Sequence, residues 1–152
     1  FLNNCVGCHS GMDPMAQAFA YYTYDETAGR IVYTPGQVQA KYFNNDTTFR
    51  YGYRTPNDDW ANYWRHGPNR ILGWDPGRSG SGEGAKSMGE ELANSTAFAR
   101  CQVEKVFRNV CLRSPVDGTD RAQIDAMVGS FRAGGYRLKQ VFAESASYCM
   151  GN

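Results

Sequence analysis

Histidine is scarce in this 152-residue chain, occurring only as His9 and His66, and the C-x-x-C pair Cys5 and Cys8 has no counterpart elsewhere. A structural zinc site that needs a second ligand pair is therefore excluded. No strand-like run precedes the pair, which argues against a thioredoxin-type dithiol. No apolar run reaches the roughly 18 residues of a membrane-crossing helix, so no transmembrane segment is expected in this chain. A net charge of only +1 gives no reason to invoke nucleic acid or a polybasic membrane contact. Neither a Ser/His/Asp set nor a pair of carboxylates spaced for acid–base work appears, so no catalytic residue is assigned. Internal repeats are absent. The glycine-rich run Gly77–Gly84 ends in Gly84-Ala85-Lys86-Ser87, which lacks the adjoining Gly-Lys and the preceding strand of a phosphate loop.

What is present is concentrated at the start. Cys5-Val6-Gly7-Cys8-His9 has the C-x-x-C-H spacing of covalent c-type haem attachment. In that chemistry each thiol adds across one vinyl group as a thioether, and the next residue brings an imidazole nitrogen under the iron. Cys5 and Cys8 are thus the expected tethers of one haem c, with His9 as the proximal axial ligand. Only four residues precede Cys5, so a leader or upstream region is expected to have been removed. Five cysteines and a 14% aromatic content suit an oxidising, exported setting.

By length, residues 1–152 are expected to form one domain, mainly α, with an insertion over about 24–84 and a C-terminal helical part over about 85–152. Phe1–Ser10 reads as a short helix. Asp13-Pro14 then reads as the cap and first position of a second one, carrying Met15, Ala18, Phe19 and Tyr22 on one face. Met12 and Met15 are read as packing rather than ligands. Arg30–Tyr33 and Thr48–Tyr53 are strand-like, suggesting a small hairpin or loop insertion. Its aromatics Tyr42, Phe43, Phe49, Tyr51 and Tyr53 either wall the porphyrin or simply pack the insertion. Asp58-Asp59 is expected to open a helix bearing Trp60, Tyr63 and Trp64, and the glycine run to be a loop without a hydrophobic anchor.

Beyond it the chain reads as helices. Gly84–Ala93 forms one, and Ala99, Val103, Val106, Phe107 and Val110 stripe the next. Asp120, with Gln123 three residues on, caps a third that carries Ile124, Met127, Val128 and Phe131. Leu138, Val141, Phe142 and Cys149 mark the last. Cys101 and Cys111 would lie about 15 Å apart on one helix, beyond the roughly 7 Å a disulfide spans. An up-down-up arrangement brings Cys111 to Cys149, leaving Cys101 as a free thiol or a bridge to another part of the protein. Cys101 with Cys149, or three reduced thiols, are the alternatives.

The run CVGCHSGMDPMAQAFAYYTYDETAGR resembles the haem-attachment segment, with its following D-P and aromatic-D-x-x-G-R, of the cytochrome c domains in planctomycete-type multidomain cytochromes. STAFARCQVEKVFRNVC and FRAGGYRLKQVFAESASYC are similar to the helical tail of the same family. The resemblance implies a class I-like, cytochrome c-like helical domain around one covalent haem. It implies single-electron transfer by a module of a larger exported bacterial protein, periplasmic, cell-surface or extracellular. The partner would be a redox protein or an upstream domain of the same polypeptide. Class I order makes Met88 the expected distal ligand, with His66, Met150 or an open iron as alternatives. An open iron would suit a five-coordinate enzyme or a peroxide- or gas-binding domain. A further alternative is a structural haem-bearing module of an extracellular assembly.

Overall fold

The computed structural model describes residues 1–42 and 50–150, which are mainly helical with two small two-stranded sheets. The chain divides into two compact units, Phe1–Ile71 with Pro76–Leu92, and Leu72–Asp75 with Ala93–Asn152. Residues 85–92 of the expected helical part therefore belong with the first.

The first unit opens with α1, Val6–Ala16, which continues through Asp13 and Pro14 instead of breaking there. The Asp13 carboxylate is engaged by His9 four residues back, so it caps nothing. A 3-10 turn over Gln17–Phe19 ends the helical stretch. Tyr22, expected on a helix face, instead begins β1, Tyr22–Asp25, which pairs antiparallel with β2, Arg30–Tyr33. Aromatic and β-branched side chains favour the pleated form, and the Tyr22 and Tyr33 rings meet across the strands with centroids 4.7 Å apart. Asp25 closes the loop by accepting from the Thr27 and Ala28 amides. Within the expected strand Thr48–Tyr53, residues 50–52 form a turn and bend and Tyr53 has no regular structure, while Thr48 and Phe49 lie outside the described residues.

The helix expected from Asp58 is instead β3, Asp59–Ala61, paired with β4, Ser81–Glu83, and followed by 3-10 turns at Tyr63–Arg65 and Gly67–Leu72. The glycine run is consequently pinned. A side chain at Gly82 would crowd Trp60 and Ser87, one at Gly80 would strike Arg65, and the Asn62 amide donates to the Gly80 carbonyl. Glycine thus works here as a packing surface for larger neighbours. Trp60 is buried with Ala18 and Met88, against which Leu92 packs, and its indole N–H donates to Ser87 at 2.7 Å.

Glu91 on α2, Gly84–Ala93, is 1% exposed and accepts from Asn62 Nδ2 and from Arg65 Nε and Nη2, each at 2.8 Å. Burial alone would raise its carboxyl, but the hydrogen bonds from Arg65 and Asn62 and the nearby positive charge outweigh it and hold the group below its ordinary value. Glu91→Ala removes the buried carboxylate that accepts from Arg65 and Asn62. It is expected to cost about 3 kcal/mol, the low end for a broken buried pair, read as a lower urea midpoint at unchanged slope. A midpoint equal to wild type would contradict this.

The second unit is built on α3, Thr96–Cys111, α4, Gly118–Ala133, and α5, Leu138–Cys149. Ser95 caps α3, and Asp117, not Asp120, caps α4. Asp120 is occupied elsewhere: the Arg113 guanidinium, the Val116 amide and the Tyr148 hydroxyl converge on it and hold its carboxyl well below the usual range. At the end of α4, Tyr136 N–H bonds the Phe131 carbonyl and Gly135 N–H that of Arg132, with Gly135 at φ +71°. Ala99, Val103, Val106, Phe107, Ile124, Met127, Val128, Phe131 and Val141 form the core. On α5 the buried face is Val141 and Ser145 with Tyr148 alongside. Leu138 and Phe142, expected inside, are exposed, because the i, i+4, i+7 row from Val141 points at α3 and α4.

Candidate functional site

The site is built from the first helical turns. The Phe1 carbonyl accepts from the Cys5 and Val6 amides, and the Cys5 carbonyl accepts from the Cys8 and His9 amides, which coils residues 1–9 and starts α1. Cys5 and Cys8, three residues apart, share a side of this coil. Both are free thiols, Cys5 half-buried and Cys8 exposed. His9 follows one residue later, its ring edge-on to Phe1 with centroids 5.7 Å apart.

His9 is held by its own helix. Its Nδ1 lies 2.9 Å from Asp13 Oδ1 and 3.1 Å from Oδ2. A carboxylate only accepts, so Nδ1 donates to Asp13, and Nε2 is the ring nitrogen that Asp13 leaves unengaged. A hollow of about 230 Å³ adjoins the ring, with Phe1, Ala16, Lys41, Tyr42, Tyr53 and Thr55 around it. A second hollow, along the same helix, adds Tyr51 and Tyr63. Burial raises the Tyr42 phenol above its ordinary value, and burial with the nearby Tyr63 and Asp59 does the same for Tyr53, so both stay neutral.

Of the aromatics marked in the sequence, Tyr42, Tyr51 and Tyr53 stand beside His9, while Phe43 and Phe49 lie outside the described residues. Lys41 and Thr55 were not marked, and Asp13 and Tyr63 were marked only as a helix cap and a helix-face residue. Only Asp13 had a signal, the i, i+4 spacing from His9 that makes helical residues neighbours.

The expected distal ligands are placed elsewhere. Met88 is 7% exposed and packs with Ala18, Trp60 and Leu92, lining neither hollow. His66 is exposed between two 3-10 turns, and Met150 is 82% exposed at the end of α5. Among the described residues no methionine or second histidine lines either hollow, and no group of three or more His, Cys, Asp and Glu side chains is arranged to hold an ion. No family model, curated protein or solved structure matches the chain.

The residues present fit a covalently attached haem. Two unpaired thiols at thioether spacing, an imidazole whose Nδ1 is held by a carboxylate on its own helix, and an aromatic hollow beside it are the parts such a group requires. Away from this site, Cys111 and Cys149 meet at disulfide distance with Cα atoms 5.4 Å apart, and Cys101 is an exposed free thiol.

Proposed function

We propose that this chain is a monohaem c-type cytochrome module that passes single electrons to a redox partner protein or an upstream domain of the same polypeptide outside the bacterial cytoplasm. The observation that carries the reading is the His9–Asp13 pair on the helix that carries the free thiol of Cys8 and begins at that of Cys5. Cys5 and Cys8 would each add S–H across a vinyl group, sulfur to one carbon and hydrogen to the other, with nothing leaving. His9 Nε2 would bind the iron. The bound group supplies a one-electron iron couple; the chain supplies its tether, its proximal nitrogen and a wall of neutral aromatic side chains. The His9 side chain is 38% exposed, which favours a short path between the iron and a partner at the surface.

One observation favours a second reading. The described walls of both hollows lack a methionine or second histidine, so an iron face open to a diatomic gas or peroxide is the alternative.

Expression with export and c-type maturation is expected to yield red protein whose pigment survives acidified acetone and stays with the polypeptide on a denaturing gel. Cys5→Ala/Cys8→Ala is expected to lose all of it. Colourless wild type would overturn the proposal. Rapid carbon monoxide binding by the reduced protein at neutral pH would shift it to the open-iron form.

A further inference from the structure

We infer that Asp13 is a positioning residue that sets the electron-donating strength of His9 and so lowers the midpoint potential of the iron; the inference rests on the haem reading above. Three observations carry it. Both carboxylate oxygens lie within reach of Nδ1, at 2.9 and 3.1 Å, so rotation of the carboxylate does not release the ring. His9 is also the one side chain bonded to that carboxylate among the described residues. Lys41, the other charged group on the hollow, has its ammonium 5.1 Å from the Tyr42 ring centroid and makes no ion pair with Asp13. Finally, the turn between the two residues is fixed. Gly11 is buried under the Trp64 indole and Pro14 is buried one position beyond Asp13, so the His9-to-Asp13 geometry belongs to the folded backbone rather than to two loose side chains.

The chemistry follows from the acceptor. An anionic carboxylate on Nδ1–H draws the proton toward itself more strongly than a neutral carbonyl does, which makes Nε2 a better donor and fixes the ring plane. Stronger donation stabilises ferric over ferrous iron, which lowers the potential.

The test compares four pigmented proteins by spectroelectrochemistry, with attached haem per polypeptide measured separately. Wild type and Asp13→Asn differ only in charge at the acceptor, as do Asp13→Glu and Asp13→Gln with a longer arm. In each pair the carboxylate form is expected to have the lower midpoint potential, with Asp13→Glu nearer wild type than either amide. A purely structural role for Asp13 would not separate the members of a pair. Equal potentials within either pair, or amide variants that carry no haem while wild type does, would overturn the inference. Wild type without pigment would instead overturn the haem reading, and this one with it.

Discussion

Gly11→Val is expected to abolish the folded first unit, and Gly11→Ala to weaken it by about 3 kcal/mol or more, the upper range for overpacking. A Cβ at Gly11 would fall against Trp64 Nε1 and Cδ1, too close for both to stay, so the indole has to leave. Trp64 cannot move alone. It sits in the turn whose neighbours Asn62 and Arg65 hold buried Glu91, so displacing it disturbs the contact between α2 and the segment before it. Gly7, on the same helix with nothing within 4 Å of its Cβ position, is the control. Gly7→Ala is expected to be neutral or stabilising by up to about 1 kcal/mol from helix propensity. Tryptophan fluorescence against urea reads both. Matching midpoints for Gly11→Ala and Gly7→Ala would show that the indole does not rest where described.

Cys111→Ser/Cys149→Ser is expected to destabilise the second unit by about 4 kcal/mol. The crosslink closes a separation of 38 residues, for which the chain-entropy relation gives that magnitude. The loss is a large share of the ~5–15 kcal/mol of a typical domain, so the helical signal should melt at markedly lower temperature. Chemical reduction of the wild type should reproduce it. Cys101→Ser, at an exposed free thiol, is expected to change neither the melting temperature nor its response to reductant. A reductant-insensitive wild type, or a Cys101→Ser variant as labile as the double one, would refute the pairing.

The three helices of the second unit were legible because their apolar residues recur at helical spacing over sixteen, sixteen and twelve residues. The same periodicity misled on α5. Leu138 and Phe142 fit one stripe while the polar Ser145 belongs to the buried one, and hydrophobicity alone ranks them the wrong way round. The β3–β4 ribbon was illegible for a different reason. Strands of three residues, one of them Ser-Gly-Glu, contain no period, and their pairing depends on Trp60 lying over a glycine more than twenty positions away. At the candidate site Cys5, Cys8 and His9 were readable as a group because they stand within five consecutive residues. Asp13 was misread because Asp-Pro commonly begins a helix; the side chain's bond to His9, four residues back, removed it from that role. Met88 drew attention by chain order, yet its neighbours Ala18 and Trp60 come from segments whose approach no local pattern encodes.

The second unit has its own caps, its own nine-residue core and its own covalent staple, and among the described residues those around His9 belong to the first. Selection can therefore act on the two parts at different rates. A substitution in the nine-residue core thus touches a different set of side chains from one made beside His9.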